Sequence, residues 1–328
     1  MAKLNSFKTL DEKKAVFAET RYFQIDTKKQ FDQWFKVYTS EIKQSKKTDF
    51  IYRGMGEAAH KLYTSAQRLW IQNDMEEWAP NGFLGFIDDM IQKAKRYPLI
   101  EKVFDIYGYN DDKREFPILS ILQHYWAPTP LMDWTYNINV ALFFATENLT
   151  GGNGRGDLSD YFSVYRINKS KYRNELSNIR QHAHNEAINF KSFSDWGDNG
   201  DKGNSILYIS DFDEGNAFGA VPGAQIRMID GDPFTSIYNQ NIIPQEGLFI
   251  FNPYSKKTID EIFNVKLDED NWNLELTPFS CFNIKKDLCD YVRRHIKEQY
   301  EINKSFIYPN LYDDAQTIKN SVLNQYAE

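Results

Sequence analysis

The apolar pattern of this chain changes period partway along, and no other feature limits its fold so tightly. In the first half apolar residues recur every three to four positions: Phe31, Trp34, Phe35 and Tyr38 in one stripe, Phe83, Phe86, Ile87, Met90, Ile91 and Ala94 in another. That spacing lines one face of a helix. It predicts a helix over 28–42 capped by Asp26 or Thr27, one over about 115–126 stopped by Pro128 and Pro130, and one from Asn137 to about Asn148. Asn137 caps the last of these, and Ala141, Phe144 and Ala145 give it a close-packing face. Phe50–Gly54 and Leu131–Thr135 read as short strands between them. After that the runs shorten: Asp160–Ile167, Ser205–Ser210, Ala224–Met228, Gly247–Asn252 and Trp272–Phe279, parted by loops rich in Gly, Asn and Asp. A long helix near 283–303 and a terminal helix near 312–326 close the chain. Helices first and strands after predict an α+β fold, helix-rich in its N-terminal half with a mostly antiparallel sheet in its second. No Pro- or Ser-rich linker follows Ile167, so 28–328 reads as a single domain behind an N-terminal extension, 1–27.

Composition sets limits on what such a fold can do. Aromatics make up 16% of the 328 residues, enough to build a core although aliphatics are scarce. A net charge of −7 argues against a general nucleic-acid binder, whose affinity comes from neutralising phosphates. No apolar run approaches the roughly 18 residues of a membrane span. The N-terminus lacks the apolar core of a signal peptide, so a cytoplasmic location with no membrane partner is expected. Cys281 and Cys289, read as one helical stretch, would stand about 12 Å apart, too far for a disulfide. Neither has a ligand at metal-binding spacing, so no metal is expected.

Several familiar motifs fail on inspection. Gly151–Gly156 follows a helix where a dinucleotide loop must follow a strand. Asp195–Asp201 lacks the ligand order of a calcium loop. Asp211, Asp213 and Glu214 read as solvated acids, and His182 and His184 diverge too far to share a metal. Three segments remain. Arg53 ends an apolar strand, where a guanidinium is costly unless it meets an anion or an internal acid. Gln123–Asn137 packs His124, Asp133, Trp134, Thr135 and Asn137 into one turn and strand, with capping by Asn137 as its plainer reading. Gln245 and Glu246 stand just before an apolar strand, where function and simple turn chemistry are equally open.

These segments, in this order, resemble the FRG-domain family, named for its aromatic-x-Arg-Gly motif, here Phe50-Ile51-Tyr52-Arg53-Gly54. That family's Gln-His-Tyr-Gly-x-Pro-Thr-Arg-Leu-Leu-Asp-Trp-Thr block is matched by Gln123–Thr135, with Trp126 in place of Gly and Pro130 in place of Arg. Its Ala-Leu-x-Phe-Ala helix is matched by Ala141–Ala145, and the Gly-Leu-Phe strand by Gly247–Phe249. A weaker likeness runs to ADP-ribosyltransferases, which order a strand Arg, a hydroxyl-bearing strand and a Glu-x-Glu strand start; here Gln245 and Gly247 stand in register with those glutamates and Glu246 lies between. The resemblance implies a split, ADP-ribosyltransferase-like sheet and a bacterial enzyme of toxin or phage-defence type that uses NAD or another nucleotide. Arg53, Thr135, Trp134, Gln245 and Asn137 would bind the nucleotide, with Glu246, Asp133 and His124 as the catalytic set. A protein or nucleic-acid acceptor would take the transferred group. The alternative is a non-catalytic module that binds a nucleotide or a protein.

Overall fold

Thr27 starts the first long helix. Its hydroxyl accepts from the Gln30 N–H (3.3 Å), while the Gln30 side chain accepts from the N–H groups of Asp26 and Thr27 (both 2.9 Å). This reciprocal cap satisfies donors that the first helical turn leaves open. The computed structural model describes residues 3–17, 21–44, 50–106, 115–168, 208–209, 240–242, 244–252, 254–263 and 279–327. The elements are α1 (Leu10–Phe17), β1 (Tyr22–Ile25), α2 (Lys28–Gln44), β2 (Phe50–Met55), α3 (Ser65–Gln72), α4 (Gly82–Lys95), α5 (Pro98–Ile106), α6 (Glu115–His124), β3 (Leu131–Thr135) and α7 (Ile138–Thr146). Then follow β4 (Tyr161–Asn168), β5 (Tyr208–Ile209), β6 (Gly247–Phe251), α8 (Ile259–Phe263), β7 (Phe279–Lys285), α9 (Cys289–Tyr300), α10 (Lys304–Ile307) and α11 (Leu311–Ala327).

The described strands form one mixed sheet in the order β1-β7-β4-β2-β3-β6-β5. Only the β1–β7 pair is parallel. The expected division into two sheets is therefore not seen among the described residues. One face carries α2, α7 and α9 over β1, β7, β4 and β2, with Phe31, Trp34, Ala141, Phe162, Phe282 and Val292 in its core. On the same sheet, β3 and β6 bury Leu131, Phe249 and Phe251 beneath α3, α4 and α6. The opposite face is covered by α1 and α8, packed on Ile51, Trp134, Tyr165 and Phe279. Gly54 is where α7 lies closest to β2: a Cβ there would stand 1.9 Å from the carbonyl oxygen of Ala141. The glycine of the Arg-Gly pair is thus a packing requirement.

Residues 3–17 and 21–27 contribute to this core. Tyr22–Ile25 pair with β7, and the Lys13 ammonium, fully buried, donates to Ala58 O (2.7 Å), Ser163 Oγ (2.8 Å) and Asn283 Oδ1 (3.0 Å). Burial pushes the Lys13 amine below its ordinary value.

The C-terminal reading needs correction. Residues 279–285 form β7, so Cys281 lies in a strand and Cys289 opens the following helix, Cys289–Tyr300. Both thiols are free and buried. β7 lies between β1 and β4 with Cys281, Phe282, Asn283 and Ile284 all fully buried, and a strand buried on both faces shows no clean two-residue alternation to tell it from buried helix. Of the strands expected beyond Ile167, 205–210 is described only at Tyr208–Ile209 and 272–279 only at Phe279, while Ala224–Met228 lies outside the described residues. No described helix is long and apolar enough to cross a membrane.

Candidate functional site

Between β2 and β3 the sheet narrows to a joint. β2 pairs with β4 from Phe50 to Met55 and β3 pairs with β6 from Leu131 to Thr135, yet β2 and β3 share a single register pair, Tyr52↔Thr135. The Arg53 fork occupies the place of the missing ladder, with Nη1 donating to the Asp133 carbonyl oxygen. Arg53 Nε is enclosed and has no hydrogen-bond partner among the described residues. Burial pushes the guanidinium below its ordinary value; Asp133 opposes this and Arg68 adds to it.

The Asp133 side chain is exposed although its strand neighbours are buried. Its Oδ2 accepts from Gln123 Nε2 (2.9 Å), and Gln123 Oε1 accepts from Thr129 Oγ1 (2.5 Å). The Thr129 N–H donates to Ser65 Oγ (2.9 Å), and its carbonyl accepts from the Ala66 N–H (3.0 Å). The end of α6 and the start of α3 therefore fix the carboxylate through a chain of hydrogen bonds. Around it stand Arg53, Arg68 and His124, and its charge raises each of their pKa values against a burial effect that lowers them. The balance leaves the His124 imidazole below its ordinary value, favouring its neutral form.

Thr135, Asn137, Gln245 and Glu246 form a second, separate knot. The Thr135 hydroxyl donates to Gln245 O (2.6 Å) and accepts from the Asn137 N–H (2.9 Å). Asn137 caps α7 by accepting from the Asn139 N–H (3.0 Å), and its amide donates to Glu246 Oε1 (3.0 Å). Gln245 Nε2 donates to the Ile307 carbonyl at the end of α10 (3.0 Å). Glu246 sits at φ +47°, in the turn before β6 begins at Gly247, so strand alternation does not govern it. Trp134 is 2% exposed and packs with Phe279 beneath α1.

The geometry thus gathers Arg53, His124 and Asp133 and ties Thr135, Asn137, Gln245 and Glu246 to one another. Arg68 and Gln123 complete the first group and were not singled out in the sequence. A signal for Arg68 existed: Thr64 and Gln67 form a capping box, which announces α3 and puts Arg68 in its first turn after Ser65. Pro130, which stands where the FRG pattern has a second arginine, is buried, and the other arginine beside Arg53 is Arg68 on α3.

The glycine-rich loop is an internal clasp: the N–H groups of Asn153 (2.7 Å), Gly154 (2.8 Å) and Gly156 (2.5 Å) all donate to the Asp160 carboxylate. Those bonds, Gly156 foremost, hold Asp160 below the usual carboxylate range. His182, His184, Asp195–Asp201, Asp211, Asp213 and Glu214 lie outside the described residues. Among the described residues no group of His, Cys, Asp and Glu is arranged to hold a metal ion.

Residues 48–153 match the FRG domain. No curated protein and no solved structure matches the chain. The matched span contains Arg53, Arg68, Gln123, His124 and Asp133, and stops well short of Gln245 and Glu246.

Proposed function

For a chain that carries an FRG domain over residues 48–153, we propose a nucleotide site of the NAD class in the joint between β2 and β3, used by an ADP-ribosyltransferase-like enzyme. The observation that carries this reading is Arg53. Its Nε is enclosed without an acceptor among the described residues, and the exposed side chain of Arg68 is near enough to depress its pKa. Enclosing a donor with no partner costs on the order of 1–3 kcal/mol. A pyrophosphate suits the planar fork, which is partly exposed next to Arg68.

In this scheme the bond between nicotinamide and the ribose C1′ breaks and its electron pair leaves with nicotinamide. Positive charge develops on the ribose, and the Asp133 carboxylate, oriented by Gln123, opposes it. The acceptor nucleophile, on a protein or a nucleic acid, bonds to C1′ and gives its proton to neutral His124. Glu246 is not assigned this role, because its carboxylate is bound to the amide that caps α7. A toxin or phage-defence setting is the context this chemistry suits.

A second reading, nucleotide binding without turnover, is favoured by one observation: Thr135, Gln245 and Glu246 are all engaged in bonds that hold the fold together. Two measurements separate the readings. A ligand at about 100 times its dissociation constant stabilises by about 2.7 kcal/mol, so NAD or ADP-ribose should raise the melting temperature visibly. Release of nicotinamide by purified protein supports the enzyme; a thermal shift without release supports the binding module. The absence of both effects would refute a nucleotide site.

A further inference from the structure

The turn that ends α6 holds a tryptophan where a glycine belongs. The Ala127 N–H bonds to Leu122 O (2.9 Å) and the Trp126 N–H to Gln123 O (3.2 Å), the paired bonds of a Schellman cap. Trp126 occupies its left-handed position, at φ +65°. A side chain is strained there, whereas glycine is not. Trp126 is also 95% exposed and makes no ring contact or side-chain hydrogen bond among the described residues, so packing does not account for it. Beside it Tyr125 is 67% exposed, with its ring against His124 at 4.8 Å between centroids. Gln123, three residues before Trp126, donates to Asp133 Oδ2 (2.9 Å), so the turn that carries the two exposed aromatics stands next to the arginine joint.

We propose that Trp126 is a stacking platform for the base of the bound nucleotide, with Tyr125 beside it and the phosphates at Arg53 and Arg68. This rests on the nucleotide reading above and adds to it which part of the ligand is read where. Aromatic faces accept any base, so the platform supplies affinity for a planar ring with little choice among bases. Two features of the site favour a nucleotide over a protein surface as the occupant. The Arg53 fork is only partly buried, and the exposed side chain of Arg68, close enough to affect its pKa, makes no hydrogen bond or ion pair among the described residues, so two cations face a small anionic group together.

The test compares Trp126→Gly and Trp126→Phe with wild type, by calorimetric binding of ADP-ribose and of ribose 5-phosphate, which lacks a base. Trp126→Gly should melt at or above wild type, because glycine relieves the left-handed position. It should lose about tenfold or more in affinity for ADP-ribose and nothing for ribose 5-phosphate, while Trp126→Phe keeps most of the ADP-ribose affinity. Wild-type binding of ADP-ribose with an equal affinity in Trp126→Gly overturns the platform and leaves the nucleotide site standing. Equal losses for both ligands also overturn it, since the base is then not what Trp126 reads. Absence of binding by wild type to either ligand removes the nucleotide site and the platform with it.

Discussion

Arg53 donates to the backbone carbonyl of Asp133, across the joint where β2 and β3 stop pairing, and the Asp133 carboxylate is left to Gln123. One side chain therefore closes the sheet, and the other presents its charge to solvent from the same point. The joint is a weak place in a sheet otherwise held by long ladders. An arginine there serves the fold through that carbonyl, and under the nucleotide proposal its fork also binds the ligand.

Replacing Arg53 by lysine separates these duties. Lysine keeps the charge but cannot reach the carbonyl and offer a second, fixed donor at once. Arg53→Lys should cost about 1–3 kcal/mol of stability, the range for a hydrogen bond to a charged group, and more than tenfold in ADP-ribose affinity. Urea unfolding and calorimetric binding measure the two. Lost stability with unchanged binding would make Arg53 a structural clasp alone.

The two carboxylates can be ranked by nicotinamide release. Asp133→Asn keeps an acceptor for Gln123 and leaves the cap of α7, which belongs to Asn137, untouched. It should fold normally and lose about 10²–10³ in turnover if Asp133 stabilises the developing charge. Glu246→Gln keeps an oxygen for the Asn137 amide and should stay within about twofold of wild type. The opposite ranking returns the reaction to Glu246.

What the sequence revealed follows from how local each signal is. Asn137 as a cap, the stop after α6 and the β3 strand depend on a few adjacent residues, and each stands where its chemistry asks. β7 depends on partners far away in the chain. Buried on both faces, its sequence lacks a clean alternation and fits a buried helix equally well, and only pairing with β1 and β4 decides the matter. The site divides in the same way. Arg53 and Asp133 are legible because a charge within an apolar strand is costly. That Thr135 and Glu246 serve the fold is not legible, because it depends on the turn at Glu246 meeting the turn at Asn137.

Gly54 offers the sharpest test of packing. An added Cβ would meet Ala141 O at 1.9 Å and Ala145 N at 2.7 Å, both of them backbone atoms of α7 that no rotamer change can move. Gly54→Ala must displace α7 from β2, at a cost above the about 1–3 kcal/mol usual for overpacking. Gly56→Ala is the control, since its nearest neighbour is a flexible leucine side chain at 3.4 Å. Similar melting temperatures for the two variants would contradict the close approach.

The Asn137–Glu246 contact predicts a pH response. Asn137→Asp preserves the cap, because Asp and Asn serve it about equally. It also brings a second carboxylate against Glu246 Oε1, where an amide now donates at 3.0 Å. Like charges raise the pKa of one member of such a pair in the folded state. A raised folded value gives stability that is present below the unfolded value, near 4, and lost as pH rises through the folded one. The variant should be clearly less stable than wild type at pH 7, with the gap closing toward pH 4. A gap that does not change with pH would mean that the two carboxylates do not meet.

Lys13 carries the opposite sign. Its ammonium is fully buried, with three oxygen acceptors but no bonded carboxylate, and desolvation pushes its pKa below 10.5 in the folded protein. Between that lowered value and 10.5 the unfolded chain holds a proton that the folded one has released, so stability rises with pH across the interval. Cys281, whose thiol burial raises above 9.0, works against this from about pH 9 upward, since its unfolded form then loses a proton first. The two effects overlap, and the Lys13 charge itself holds the Cys281 thiol down, so the comparison is made in a Cys281→Ala background, where Lys13→Met fills similar space and does not titrate. Urea midpoints at pH 7, 8.5 and 10 should show the stability difference between Cys281→Ala and Cys281→Ala with Lys13→Met moving in favour of the lysine-containing protein as pH rises. Parallel curves would mean that Lys13 titrates alike in the folded and unfolded chains, and that its amine stays charged inside the core.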